Sequence, residues 1–261
     1  MRIARTIEDA REALEHDGRG TVALVPTMGA FHDGHRALFR AARTAADYVV
    51  VSLFVNSPQF HDASDLEAYP RDEARDADVA AAAGADLLFA PSATEMYPPG
   101  YETWVDVERL GAVLEGAHRP GHFRGVATVC LKLFNIIRPQ LAFFGQKDAQ
   151  QLAVVKRVVK DLNLNVEIRP VPTVRDEDGL ALSSRNVRLS AEERRRALAL
   201  PRALKTKDPS RARELLQEVN VDYVEVAEFE PRVLVGAIRV GDVRLIDNVA
   251  LEGDDEEGDD E

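Results

Sequence analysis

Apolar positions in the first two-thirds of the chain fall in short unbroken runs separated by stretches of helical period. The runs are TVALVP (21–26), YVVVSLFVN (48–56), ADLLFAP (85–91), QLAFFG (140–145) and NVEIRPVP (165–172). Between them, helical patterns cover 35–46, 71–83, 126–137 and 149–162. Continuous Val, Leu and Phe, rather than strict alternation, predicts strands covered on both faces. Strand, helix and strand in repetition predicts a parallel sheet with right-handed crossovers. The opening MRIARTIEDAREAL threads charges through its apolar positions and reads as a first helix, not as a signal peptide. Sheets of this kind bind ligands beyond the carboxyl ends of their strands, where strand order reverses.

The pattern changes after Arg185–Asn186. Ser190 with Glu193 three positions on is a capping box, and it opens an Arg-rich helix to about Leu204. A polar break at Lys205–Pro209 precedes a second short helix over 210–219. Three β-like runs then follow, DYVEVAEF, RVLVGAIRV and VRLIDNVAL. The expected organisation is an α/β, Rossmann-like doubly wound domain over 1–173 and a small α+β domain over 174–251, entered by a hinge loop at 174–188.

Charge changes the picture less than its total suggests. The formal net charge is −12, but eight acidic groups sit in the last ten residues, EGDDEEGDDE, which leaves −4 on the rest. Residues 252–261 have no apolar side chain to bury and are expected to be a disordered, inert acidic tail. A mildly acidic body argues against a nucleic-acid surface. No run approaches the ~18 apolar residues of a membrane span, and the opening segment lacks the apolar centre of a signal peptide, so a cytoplasmic protein is expected. The single cysteine, Cys130, lies in VATVCLKLFNII and reads as a core residue, not a nucleophile.

The candidate chemistry begins at PTMGAFHDGH (26–35), between a strand and a helix. Gly29 and Gly34 allow tight turns and close backbone approach. His32 and His35 stand at a helix start, where unpaired N–H groups and the dipole favour anions. Two imidazoles there can also donate to phosphate oxygens and stabilise charge on a pentavalent phosphorus. A histidine cap or a metal pair are the other readings, and no third ligand nearby supports the metal. FGQKD (144–148) offers a second helix start with Lys147 in place. LALSSRN (180–186) carries two hydroxyls and a guanidinium on the expected hinge loop. An ordinary interdomain turn is the alternative there. Gln59 and Gln151 are neutral amides able to read a hydroxy acid.

PTMGAFHDGH resembles the HIGH signature of the nucleotidyltransferase superfamily, and more closely its form in the pantothenate synthetase family. The resemblance continues through FVNSPQF (54–60), YPRDEARD (69–76), RPGHFRGV (119–126), KLFNIIRPQLAFFGQKDAQQ (132–151), TVRDEDGLALSSRN (173–186) and RLIDN (244–248), in family order. It implies a ligase that joins pantoate to β-alanine through a pantoyl adenylate made from ATP with Mg²⁺, working as a homodimer. It implies an ATP site on Met28, Gly29, Ala30, Phe31, His32, Asp33, Gly34 and His35, continued by Gly145, Gln146, Lys147 and Asp148. Val174, Leu182, Ser183, Ser184 and Arg185 complete that site. The implied electrostatic cage is His32, His35, Lys147, Ser183, Ser184 and Arg185, with His35 as proton donor. Gln59 is implied to contact pantoate and β-alanine, and Gln151 pantoate. Asn56, Tyr69, Arg119 and His122 match further pocket positions, Asn56 being also readable as a turn residue. Asp76 matches an acidic position near metal-bound phosphates, the Mg²⁺ itself being held mainly through ATP.

There are departures. The family's Asn-Pro-x-Gln is Asn56-Ser57-Pro58-Gln59 here, FGEKD is FGQKD with Gln146, and Phe31 replaces a leucine. The Lys205–Pro209 region is shorter than the family pattern. Two other functions fit parts of the sequence: another HIGH-type adenylyl- or cytidylyltransferase, or a nucleotide-binding module without catalysis. The intact His32, His35, Lys147 and Ser-Ser-Arg set argues against the second. A tRNA synthetase would need an anticodon-reading domain for which the chain is too short.

Overall fold

A computed structural model describes residues 1–17 and 20–251. The expected acidic tail, 252–261, lies outside the described residues. The chain divides into two compact units, residues 1–146 with 150–172, and residues 147–149 with 173 onward.

The first unit is built on six strands: β1 (Arg2–Ala4), β2 (Val22–Thr27), β3 (Tyr48–Leu53), β4 (Leu87–Phe89), β5 (Leu141–Gly145) and β6 (Glu167–Val171). All pair in parallel, in the order β1-β4-β3-β2-β5-β6. Strand order therefore reverses between β2 and β5, and the loops that leave these two strands flank the switch point. Helices α1 (Ile7–Asp17), α2 (Asp33–Ala45), α3 (Ala63–Glu67), α4 (Glu73–Ala82), α5 (Ala93–Met96), α6 (Glu115–His118), α7 (His122–Ile137) and α8 (Ala149–Asp161) surround it.

The unbroken apolar runs have the cause expected of them. Val22 and Leu24 of β2 enter one buried cluster with α1, α7 and α8. Ala23 and Val25 enter the other, with Phe39 and Ala42 of α2 and Ala80 of α4. Each face of the strand meets a helical layer, so both side-chain phases must be apolar. Cys130 on α7 is fully inside, and burial pushes its thiol up to about 12, which keeps it protonated and inert.

The start of the chain differs from its expected helix. Residues Arg2–Ala4 form edge strand β1 against β4, and α1 begins only at Ile7. Three residues with one buried side chain carry no periodic signal; the pairing with β4 decides them. Helix α7 also begins earlier than its apolar pattern, at His122, after Gly121 at φ 82°.

The second unit packs α9 (Ala191–Ala197), α10 (Ala199–Leu204) and α11 (Pro209–Leu215) on an antiparallel sheet of β7 (Asn220–Ala227), β8 (Val233–Val240) and β9 (Val243–Ala250). The Ser190–Glu193 capping box is present. The helix it opens is broken at Leu198, which closes α9 and caps α10. Pro201 explains the restart: it has no N–H to continue the ladder and is tolerated only in a first turn.

Candidate active site

The loop after β2 is shaped by three physical terms. Gly29 and Ala30 take positive φ, 92° and 55°. For alanine this costs about 1–2 kcal/mol. Phe31, 2% exposed, packs edge-on against Phe39 with centroids 5.0 Å apart, and its burial contributes about 1.5–3 kcal/mol. The burial is of a size to offset the strain. The third term is Asp76 of α4, whose Oδ2 accepts from the Ala30 amide at 2.7 Å and whose Oδ1 accepts from the Phe31 amide at 2.8 Å. Expected near a metal, this carboxylate has both oxygens engaged by the backbone.

His32 is the N-cap of α2, and the two histidines form a reciprocal capping box. The Gly34 amide donates to His32 Nδ1 at 3.1 Å, and the His32 amide donates to His35 Nδ1 at 3.3 Å. The His35 amide donates to the His32 carbonyl at 2.9 Å. This corrects one expectation. The N–H groups of Gly34 and His35 at this helix start do not wait for an anion, because cap and carbonyl already satisfy them. The consequence favours chemistry at the rings. An Nδ1 that accepts is unprotonated, so each neutral imidazole carries its proton on Nε2. The rings lie 4.2 Å apart between centroids, two such donors side by side.

A second buried network surrounds the turn Ser57–Gln59 that follows β3. Asn56 Nδ2 donates to the Gly125 carbonyl at 3.2 Å and to Gln59 Oε1 at 2.9 Å, while Tyr97 donates to Asn56 Oδ1 at 2.7 Å. A backbone carbonyl can only accept, so the orientation of Asn56 is determined, and Gln59 must turn Nε2 the other way. Gln59 Nε2 faces Met28 Sδ at 3.1 Å, which brings this network to the histidine loop. His122 Nδ1 donates to the Gln59 carbonyl at 2.8 Å and its Nε2 accepts from Arg119 at 3.2 Å. Tyr69 is buried edge-on against Phe60, centroids 5.6 Å apart.

The structure thus brings Met28, Asn56, Gln59, Arg119 and His122 together with the histidine loop in the first unit. Gln151 lies on α8 in that unit, half-buried. Its neighbour Gln150 is the buried one, pinning the Leu110 and Val113 carbonyls and the Glu115 amide. Tyr97 escaped the sequence reading, and Gly125 entered it only as part of RPGHFRGV, without a role. A Cβ on Gly125 would lie 2.7 Å from the Gln59 nitrogen and 2.8 Å from its Cα, a close approach that the lone glycine could have signalled.

Lys147, Asp148, Val174, Leu182, Ser183, Ser184 and Arg185 belong to the second unit. Gly145 and Gln146 close β5 in the first, and the helical turn Gln146–Asp148 carries the chain across to α8. Lys147 Nζ lies 3.6 Å from Asp148 Oδ1, and the Lys147 carbonyl accepts from Asn248 Nδ2 at 2.8 Å. Asp247 pairs bidentately with Arg175, at 2.6 and 2.9 Å, and accepts from the Asn248 amide. The RLIDN motif, without a role from sequence, therefore holds the lysine turn. Residues 174–182 of the expected hinge form a hairpin, the Leu182 amide donating to the Val174 carbonyl and Arg175 bridging Ala181, and a short helical turn over Asn186–Arg188 follows. Arg194 of α9 ties the hairpin down through Asp176 and Asp178, holding the Asp178 carboxyl below the usual range. Between hairpin and turn, Ser183 Oγ accepts from the Arg185 amide at 3.2 Å.

Among the described residues, no three His, Cys, Asp or Glu side chains are grouped to hold a metal ion. Among the same residues, no helix is long and apolar enough to cross a membrane.

Comparison with known proteins identifies the family. Residues 2–250 match the family model described as pantoate-beta-alanine ligase. The chain is 50% identical to the pantothenate synthetase of Heliobacterium modesticaldum over 280 residues, covering 95% of this chain and 99% of the relative. It is 48% identical to that of Acetivibrio thermocellus, covering 97% and 100%. Among solved structures, the pantothenate synthetase of Thermus thermophilus superposes with a TM-score of 0.92 at 44% identity, covering 97% of this chain and all of that one. The pantoate-beta-alanine ligase of Francisella tularensis, complexed with an ATP form and β-alanine, gives 0.86 at 33% identity, covering 97% and 98%.

Proposed function

Because this chain belongs to the pantoate–β-alanine ligase family, we propose that it condenses pantoate with β-alanine at the expense of ATP, through an enzyme-bound pantoyl adenylate. The observation that carries the reading is the histidine pair, whose caps leave both rings as Nε2 donors, beside an amide of determined orientation at Gln59.

A carboxylate is a poor electrophile, so the acid must be activated first. One pantoate carboxylate oxygen attacks the α-phosphorus of ATP and the bond to pyrophosphate breaks. The charge that builds on phosphate oxygens in this step is met by the Nε2 protons of His32 and His35, and by Lys147, Ser183, Ser184 and Arg185. His35 donates on the leaving-group side. Positioning and electrostatics supply most of the acceleration in such transfers. Gln59 Nε2 donates to the acid, and Gln151 adds a second contact. The β-alanine amine then attacks the acyl carbon, the amine proton is lost and AMP departs.

Mg²⁺ neutralises polyphosphate charge when it accompanies ATP. Among the described residues no three His, Cys, Asp or Glu side chains are grouped to bind it, so the ion would be held mainly through the phosphates of ATP. A homodimer in the cytoplasm completes the reading.

The test is isotope exchange. With pantoate present and β-alanine absent, labelled pyrophosphate should enter ATP. A transferase acting on a phosphorylated acceptor gives no exchange with pantoate, and a binding module gives none with any acid. A requirement for β-alanine would remove the stable adenylate from the scheme.

A second prediction concerns the Gln59 turn. Gly125→Ala sets a methyl group against Gln59 and Pro58 backbone atoms, which cannot rotate away as a side-chain tip can. Overpacking of this kind costs about 1–3 kcal/mol. The melting temperature should fall and the KM for pantoate should rise, with the KM for ATP nearly unchanged. An unaltered pantoate KM would show that the turn does not set the acid site.

A further inference from the structure

We infer that Asp76 is a positioning residue: a built-in anion that latches the histidine loop in its working shape, not a ligand of the metal. The inference rests on the function proposed above, in that the rate it controls is that of adenylate formation.

Asp76 is 1% exposed, and a buried carboxylate is costly unless hydrogen bonds replace its water. Its bonds to the Ala30 and Phe31 amides, at 2.7 and 2.8 Å, lie in the charge-assisted range. The residues before and within this pair, Gly29 and Ala30, have positive φ, and the two successive amides converge on one anion. Convergent amides of this kind commonly grip a phosphate. Here the anion belongs to the protein, so those amides are spent before any nucleotide arrives.

The shape requirement extends to Gly29. A Cβ there would lie 2.8 Å from Asp76 Oδ2 and 2.7 Å from Leu53 Cδ1. The loop therefore closes onto the carboxylate with no room for a side chain between them.

What the latch controls follows from chain order. Phe31 is succeeded by His32, whose amide donates to His35 Nδ1 and whose own Nδ1 receives the Gly34 amide. The Phe31 ring also lies 5.2 Å from the His35 ring between centroids. A displaced Phe31 amide moves the first residue of the capping box, and with it the direction of both Nε2 donors. Asp76 reaches across 46 residues of sequence to Ala30, so α4 sets the aim of groups on α2. Pre-organised donors lose much of their effect when displaced by about 1 Å.

The test uses Asp76→Asn in the full-length protein. The variant keeps the volume but turns an NH₂ group toward one of the two amides, so one bond is lost and two donors oppose each other. Pantoate-dependent pyrophosphate exchange should slow about 100-fold, with the KM for ATP within a few-fold of wild type and the Mg²⁺ concentration for half-maximal rate unchanged. Hydrogen exchange at the Ala30 and Phe31 amides should accelerate in step. A large rise in the Mg²⁺ requirement would overturn the inference in favour of metal ligation. Near-normal exchange chemistry with loosened amides would overturn it as well. Wild-type protein supplies an independent check should the variant fail to fold: its Ala30 and Phe31 amides should be strongly protected, and rapid exchange there would sink the latch. If wild type shows no pyrophosphate exchange at all, the proposed function fails while amide protection still decides the latch.

Discussion

His35→Ala and His35→Asn should both slow adenylate formation by about two to four orders of magnitude, the range for loss of a positioned proton donor. The pair is informative because His35 has two jobs on two nitrogens. Its Nδ1 accepts from the His32 amide and closes the capping box, while Nε2 carries the proton that the proposed function directs at the phosphates. Alanine removes both functions. Asparagine has an oxygen near the place of Nδ1 and nothing at the place of Nε2, so it keeps the cap and deletes the donor. Loss of a cap alone costs about 1 kcal/mol of stability and should appear in the melting temperature of the alanine variant only. Single-turnover measurement of pantoyl adenylate separates the outcomes, and kcat should fall far more than ATP affinity. If asparagine restores most of the rate, the cap was the essential function and the proton-donor assignment is lost.

Lys147→Ala should give the second largest effect, a loss of about 10²–10³ in adenylate formation, as for removal of one donor from a site of developing charge. The damage should be selective. Supplied with pantoyl adenylate and β-alanine, the variant should recover a sizeable fraction of amide formation, because that step expels no pyrophosphate. Equal impairment of both half-reactions would mean that the lysine orders the whole pocket. Asn248→Ala is the companion measurement. It leaves the ammonium in place but frees the Lys147 carbonyl, and one such bond is worth about 1 kcal/mol. Its effect on adenylate formation should therefore be near tenfold or less, and no larger on the second step.

Much of the architecture was legible because it rests on short-range physics. The runs at 21–26, 48–56 and 140–145 predicted β2, β3 and β5, since a strand covered on both faces is apolar in both phases except where a buried polar group such as Ser52 finds a hydrogen bond. Ser190 and Glu193 predicted their capping box from a spacing of three. The HxGH string pointed to a strand–turn–helix with two imidazoles at its start, and β2, the loop and α2 are that unit. Where the reading missed, the cause was equally physical. Arg2–Ala4 is too short to show a period and is a strand only because β4 is beside it. The start of α7 at His122 follows from the turn at Gly121, not from the apolar stripe that begins at Val126.

The sequence by itself determined the sheet, the switch-point loop and the residue types of the candidate site, because period, capping and turn preference depend on neighbours a few positions away. Tertiary structure alone decided how those groups are aimed. In the sequence Asp76 is one acid among Asp72, Glu73 and Asp78 on the same segment, and only packing turns its carboxylate to the amides of Ala30 and Phe31. Tyr97 reaches Asn56 across 41 residues and Asn248 reaches the Lys147 carbonyl across 101. Such bonds leave no local pattern, since any polar residue could make them. Which one does is settled when the buried faces close and each enclosed donor or acceptor must find a partner.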